Sequence, residues 1–408
     1  FISNMFSIRS AFSSALARAP LTRTIARTTP NKQTFSSAVT SHFKMEDLQM
    51  NLTKTPTPVQ ARTKPENLLF GQEFTDHMFQ VEWNKSSGWQ HPEIVPYGDL
   101  SISPAASSLH YAIQCFEGMK AYVDKDNNAR LFRPHMNAQR MLKSCRRIAL
   151  PDFEPDEWVK AVKAIVGLEK DWIPNKTGYS LYIRPTAISI DRNLGVATPS
   201  RALFYIILSP VGPYYPTGFA PVKLFANPDY IRAFPGGTGD SKIGANYGPT
   251  IHPAKLATEA GFQQVLWTIG EEHQVAEVGT MNLFFRLRHK DGSEELVTPK
   301  LDGTILPGVT RDSVITLAKE WGLKVSERDI LMKEVVEFAD RGDIIESFGS
   351  GTAAVISPVE SIFFQGKNYE IPVGNDPKIR AGELSVKMLD TLQDIQYGNI
   401  EHEWSGKL

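Results

Sequence analysis

Two places in this sequence combine residue types that could do chemistry: a lysine set among glycines and a carboxylate set among apolar residues. The lysine, Lys242, is at the centre of RAFPGGTGDSKIGANYG, which runs from Arg232 to Gly248. Glycines at 236, 237, 239, 244 and 248 free the backbone on both sides of it, as is needed where main chain approaches a bound molecule closely. A solvated lysine on a turn-rich loop is the ordinary alternative. The spacing fits neither a dinucleotide fingerprint nor a P-loop, because Gly237 and Gly239 are followed by Lys242 where a third glycine would be needed, and no GK[ST] occurs here. The carboxylate, Glu277, stands in QVAEVGTMNLF, residues 274–284, an alternating apolar segment that continues through Gly279, Thr280 and Asn282. A carboxylate in such a strand needs a partner, since an unpaired buried charge costs several kcal/mol or takes up a proton.

The chain that must position these groups has 408 residues, ample for two domains with separate cores. With 41% apolar and 22% charged residues its composition is globular, and a net charge of -1 gives no electrostatic basis for binding nucleic acid or an anionic membrane. No apolar run approaches the ~20 residues of a membrane span. Cys115 and Cys145 are the only cysteines, so a disulfide scaffold is not expected and a reducing compartment fits better. No metal site is expected. Residues 1–45 carry Arg9, Arg18, Arg23, Arg27, Lys32 and Lys44, many hydroxyls, and no acid before Glu46. Phe6, Phe12 and Leu16 can share a helical face there, so the segment reads as a mitochondrial transit peptide with delivery to the matrix; a disordered basic tail is the alternative.

A Thr- and Pro-rich linker over 46–65 leads into a first domain over 66–211. In it HMNAQRMLKSCRR predicts a helix with Met136, Arg140 and Ser144 on one face, and Trp158, Ala161, Val162, Ile165 and Val166 form the buried stripe of another. SLYIRP predicts a strand with Tyr182 and Arg184 on the same face, and ALFYIIL a buried strand. A Pro-, Gly- and Tyr-rich break over 212–220 separates a second domain over 221–408. Short strands (VKLFA, QQVLW, QVAEV, NLFFRL, EELVT, LKVSE, DIIESF) alternate there with helices. Val314, Leu317, Ala318 and Trp321 keep a helical period that begins at LPGVT and ends at Gly322, so Val309 and Thr310 sit where free backbone N–H groups attract anions. FGSGTAAV reads as a glycine-rich turn whose Gly351, Thr352 and Ala353 offer further donors. Pro253 predicts a kink or a delayed start in the helix after Thr250, and Leu384, Met388, Leu392 and Ile395 a C-terminal helix packed on this domain.

GDSKIGANYG and EVGTMNLF resemble the branched-chain amino-acid aminotransferases, members of the fold-type IV pyridoxal phosphate enzymes. LHYAIQCFEGMKAY, RLFRPHMNAQRM, SLYIRP, LPGVTR and FGSGTAAV extend the resemblance, in order, over roughly residues 50–408. It implies a two-domain α+β fold of the D-amino-acid aminotransferase type, each domain a β-sheet core with flanking helices. It implies Lys242 as the Schiff-base lysine, Glu277 as the carboxylate on the cofactor pyridine nitrogen, and Tyr247 on its phenolate oxygen. Arg140, Val309, Thr310 and Thr352 would hold the cofactor phosphate; Tyr111 and Phe116 would line the substrate side-chain pocket, Tyr182 would face the active site, and Tyr214 would lie over it. Arg184 would meet the distal carboxylate of glutamate, and Thr280 with the backbone around Ala353 would receive the α-carboxylate. The expected substrates are branched-chain L-amino acids with their 2-oxo acids and the pair glutamate and 2-oxoglutarate; the expected assembly is a homodimer. A D-amino-acid aminotransferase, an aminodeoxychorismate lyase and a non-catalytic pyridoxal phosphate-binding protein stay open as alternatives. Ala354 and Ser357 stand where some animal relatives carry a Cys-x-x-Cys pair, so thiol control of that type is not expected.

Overall fold

The computed structural model describes residues 42–214, 219–374 and 379–408. Most of the expected transit peptide, residues 1–41, and residues 215–218 of the expected interdomain break lie outside the described residues.

Two sheets organise the chain. The first runs in the order Gln49–Met50, Glu93–Pro96, His77–Asn84, Arg201–Val211, Ser180–Ser189, Met119–Val123, Ala129–Phe132 and Ser405–Lys407. Its centre is the long antiparallel pair from Ser180↔Val211 to Ser189↔Ala202, where apolar and β-branched residues fill both faces. The short strand Gln114–Phe116 joins the edge of Ser180–Ser189 and leads out of helix α1 (Ser107–Tyr111). Helices α2 (Pro134–Arg147) and α3 (Pro155–Leu168) cover this sheet. The stripe predicted on α3 is fully buried from Trp158 to Val166, and on α2 Arg140 and Ser144 are buried as their shared face requires.

The second sheet passes through Gln274–Val278, Gln264–Ile269, Val222–Ala226, Val355–Phe364, Ile344–Gly351 and Met281–Arg288, then on to Glu294–Pro299 and Val325–Arg328. Gln274–Val278 also pairs with Met281–Arg288, Glu277 opposite Asn282, so the path closes on itself as a barrel-like ring. The alternation of NLFFRL explains the ring's packing. Leu283, Phe285 and Leu287 enter one apolar cluster with Leu266 and Val278, while Phe284 faces the other with Val314, Leu317, Leu384 and Met388. Around the ring lie α4 (Ile251–Glu259), α5 (Val309–Glu320), α6 (Met332–Asp340) and α7 (Glu383–Gln396).

Three expectations change. The turn expected over FGSGTAAV is confined to residues 352–354: the strand continues through Gly351, paired with Val355, and its glycines let Met281 pack on it, since a Cβ at Gly349 would stand 3.0 Å from Met281 Cε. Ser405–Lys407 leaves the C-terminal half and pairs with Ala129–Phe132 of the first sheet. The expected linker holds order of its own, with Gln49–Met50 paired to Glu93–Pro96. Pro253 acts as a delayed start: two 3-10 turns, Gly244–Asn246 and Gly248–Thr250, precede α4, and Pro253 falls in its first turn, where a missing N–H costs nothing.

Candidate active site

The Lys242 loop is held on both sides. The Lys242 N–H donates to Ser144 Oγ of α2 at 2.8 Å, and the Lys242 carbonyl accepts from the Phe116 N–H at 3.0 Å. Inside the loop, buried Asn246 donates to the carbonyls of Thr238 and Ser241 at 2.7 and 2.8 Å. Gly239 permits the closest approach, because a Cβ there would lie 2.4 Å from the Thr304 carbonyl oxygen. The lysine stem is therefore fixed while its tip projects into a cavity, where Nζ donates to Tyr247 Oη at 2.9 Å and lies 4.8 Å from the centre of the Phe116 ring.

Arg140 reaches the same cavity from α2. Its Nε and Nη2 donate to the two oxygens of Glu117 at 2.7 and 2.8 Å, and Nη1 donates to the Pro307 carbonyl at 2.9 Å. Burial opposes the guanidinium charge, but Glu117 more than compensates and raises the Arg140 pKa. Of the five N–H donors of an arginine, those three bonds leave two for a ligand. The Pro307 contact ties Arg140 to the start of α5, whose cap is Gly308 and whose first amides, Val309 and Thr310, receive no side-chain cap.

Glu277 is 3% exposed and sits just behind Asn282 and Leu306, both of which line the cavity. Its Oε1 accepts from the Leu306 N–H at 2.8 Å and from Asn282 Nδ2 at 3.3 Å. Its Oε2 lies 2.8 Å from Arg232 Nε, and Arg232 Nη2 donates to the carbonyls of Gly239 and Thr304. The partner that Glu277 requires is thus Arg232, the first residue of the lysine stretch, with no role assigned from sequence. Burial raises the Glu277 pKa, and Arg232 and the Leu306 N–H offset that only in part. The adjoining hairpin turn, Gly279–Thr280, needs positive φ at Gly279 (54°) and puts Thr280 on the cavity wall.

Aromatic residues make the opposite wall. Tyr182 and Arg184 both face the cavity, as strand alternation predicts; Arg184 Nη2 donates to Tyr182 Oη at 3.1 Å, and its guanidinium lies 4.7 Å from the Phe116 ring centre. Phe70, not singled out from sequence, packs edge-on against Tyr182 and Tyr214 at 4.9 and 5.2 Å between ring centres. Gly118 gives Tyr182 its room, because a Cβ there would fall 2.1 Å from Tyr182 Oη. Thr352 and Ala353 complete the wall beside Thr280, Val309 and Thr310, around a volume of about 270 Å³. Tyr111 is the exception. It ends α1, Ala112 turns the chain away with φ 51°, and the ring, 40% exposed, donates to the Leu194 carbonyl outside the cavity. Glu117, Asn282 and Phe70 join the site without having been assigned to it. For Glu117 the one sequence signal was a carboxylate beside Phe116, in reach of a helix presenting Arg140.

The family profile Amino-transferase class IV matches residues 114–362, which hold the lysine loop, nearly all of the ring and the aromatic wall apart from Phe70. The chain belongs to the class IV aminotransferases. A branched-chain-amino-acid aminotransferase from Dictyostelium discoideum is 49% identical over 86% of this chain and 93% of that protein. A mitochondrial one from Rattus norvegicus is 46% identical over 90% and 92%, and the relatives also include a cytosolic form from Mus musculus. The solved structure of the branched-chain amino acid aminotransferase from Escherichia coli superposes with a TM-score of 0.62 at 25% identity, covering 81% of this chain and 98% of that one. Within the class, this chain stands among the branched-chain-amino-acid aminotransferases.

Pyridoxal phosphate is the cofactor of the class, and the residues present fit it. The α5 amides are uncapped, and Glu277 keeps room for one more donor beside the three it meets. On the same cavity, Ser350 Oγ and Arg184 Nε are buried without a hydrogen-bond partner among the described residues.

Proposed function

We propose that this chain reversibly transfers the amino group of L-leucine, L-isoleucine or L-valine to 2-oxoglutarate, with pyridoxal phosphate carried on Lys242. The observation that carries this reading is the wall opposite the lysine, where apolar rings of Phe70, Phe116 and Tyr182 surround one guanidinium, Arg184. Such a wall buries an aliphatic side chain, worth about 1.5–3 kcal/mol, and still offers the Arg184 head to the distal carboxylate of glutamate. It favours this substrate pair over the D-amino acids or aminodeoxychorismate considered as alternatives.

The bound cofactor supplies a carbonyl that condenses with amines and a ring that accepts the electrons of the substrate Cα–H bond. The two spare N–H groups of Arg140, with the amides of Val309, Thr310 and Thr352, hold the phosphate. Glu277, buried and backed by Arg232, would keep the proton on the pyridine nitrogen, and Tyr247, which accepts from Lys242 Nζ, would have its own O–H free for the phenolate oxygen. Lys242 Nζ, steered by Tyr247 Oη at 2.9 Å, is the base that would take the proton from the substrate Cα and, with the cofactor bound, hand it on. Thr280 and the backbone at Ala353 take the α-carboxylate, which every substrate shares.

The visible spectrum of the cofactor-loaded protein tests this. L-Leucine shifts it, 2-oxoglutarate restores it, and D-alanine leaves it unchanged; indifference to L-leucine would assign the site to another substrate. Two further readings rest on composition and resemblance. Residues 1–45 act as a mitochondrial address, tested by fusing them to a fluorescent protein and locating it in cells. The enzyme is a homodimer of chains with lobes over 66–211 and 221–408, tested by sedimentation and limited proteolysis.

A further inference from the structure

Lys120 stands behind the turn that carries Thr352 and Ala353, and the chemistry above makes no use of it. Its strand pairs with Ser180–Ser189 so that Lys120 lies opposite Tyr182, on the face of the first sheet turned toward the active site. From there the side chain crosses to the second sheet, where Nζ donates to the Ala353 carbonyl at 2.7 Å. Lys120 is 8% exposed, and that carbonyl is its one hydrogen-bond partner among the described residues, which give it no carboxylate partner. A buried ammonium facing a neutral carbonyl is unfavourable, and an apolar side chain of similar length fills the same space without that penalty. The turn is a shared partition: Ala353 lines the active-site cavity on one side, and on the other lines a second cavity of about 190 Å³ together with Lys120.

We propose that Lys120 is a positioning residue for the substrate α-carboxylate. Its ammonium fixes the Ala353 carbonyl, aims the main-chain N–H groups of this turn at the carboxylate, and places a positive charge behind them. This rests on reading the turn as the carboxylate receptor.

Burial pulls the Lys120 ammonium down to about 8, so the charge is present below that pH and lost as pH rises through it. The other titratable groups on the second cavity are phenols: Tyr122 on the same strand, Tyr397 at the end of α7 and Tyr214 on the connecting segment. Burial raises all three, which keeps them neutral near pH 8. Tyr182 faces Lys120 across the sheet, α7 contributes the uncharged Leu389, Gln393 and Gln396, and the turn itself carries no ionisable side chain.

The experiment measures kcat and KM of the cofactor-loaded enzyme for a branched-chain 2-oxo acid, which has no amino group to titrate, from neutral to alkaline pH. The wild-type KM is expected to rise as pH passes about 8. Lys120→Met is expected to raise KM about tenfold at neutral pH for oxo and amino acids alike, with kcat within about twofold, and to abolish the alkaline rise. Lys120→Arg restores the low KM and holds it low past that pH, and it serves as the folded probe if the Met variant does not fold. A wild-type KM and pH profile in Lys120→Met, or a loss of thermal stability alone, overturns the proposal. Thr280→Val separates the two levels. If it raises KM while Lys120→Met does not, the receptor reading stands and Lys120 is only structural; if neither variant moves KM, the receptor reading fails and the proposal with it.

Discussion

The pair between Glu117 and Arg140 offers the sharpest test of how this site is held. Four donors converge on Glu117: Arg140 Nε on Oε1, and Arg140 Nη2, Asn137 Nδ2 and the Gly118 N–H on Oε2, at 2.7, 2.8, 2.8 and 3.2 Å. Glu117→Gln keeps the shape and removes the charge. Wherever its amide nitrogen is turned, it faces a donor; the better orientation sacrifices the Arg140 Nε bond and leaves the guanidinium buried without its counter-charge. Breaking one side of a buried pair costs about 3–5 kcal/mol, so the denaturant midpoint is expected to fall by the equivalent of at least two powers of ten in the folding equilibrium. The double variant Glu117→Gln, Arg140→Met removes the stranded charge as well, and most of that stability should return, because well-packed apolar replacements of buried pairs are often neutral. Its affinity for pyridoxal phosphate should stay low, since the proposed phosphate ligand is gone. Urea unfolding and cofactor titration on the four members of the cycle give both numbers. A single variant with wild-type stability, or a double variant with wild-type cofactor affinity, would refute the reasoning.

Other expectations follow from the same geometry. Lys242→Ala should abolish turnover with L-leucine and 2-oxoglutarate, and transamination at the normal rate would sink the mechanism. Arg184→Met should raise KM for 2-oxoglutarate about tenfold or more while leaving that for L-leucine nearly unchanged, as loss of one charged hydrogen bond predicts; equal effects on both would remove the guanidinium from substrate selection. Gly118→Ala should displace Tyr182, whose Oη would lie 2.1 Å from the new Cβ, and is checked by the L-leucine KM. Glu295 is buried, which alone would raise its carboxyl, yet bonds from Arg328, Ser326 and His289 hold it down at about 2 against an ordinary 4.5. Its stabilising contribution is therefore complete above pH 4.5 and lost as pH falls toward about 2, so Glu295→Gln should flatten the acid limb of stability measured by urea midpoints.

Local patterns in the chain were readable where one element fixes the answer. The α3 stripe, the alternation that turns Tyr182 and Arg184 to one face, and the glycines around Lys242 each follow from a single period or a single backbone demand. Features set by residues far apart were not. Nothing local pairs Arg232 with Glu277 or closes Gln274–Val278 onto Met281–Arg288 into a ring. FGSGTAAV holds the expected turn only at residues 352–354, because its glycines make space for Met281 on a strand instead of marking the turn. Tyr111 shows the limit of carrying a role over by residue type, because the end of α1 and the bond to Leu194 decide where its ring goes.

The strand Ser405–Lys407 ties a segment made late to one made some way before it, Ala129–Phe132. A ribosome releases the first sheet long before those residues exist, so during synthesis the edge of Ala129–Phe132 stands bare and open to pairing with another chain. The first sheet is thus complete only once residues 405–408 have been made, when Leu408 also donates its N–H to the Ala129 carbonyl. A change that destroys this strand would damage the half of the molecule farthest from it in sequence.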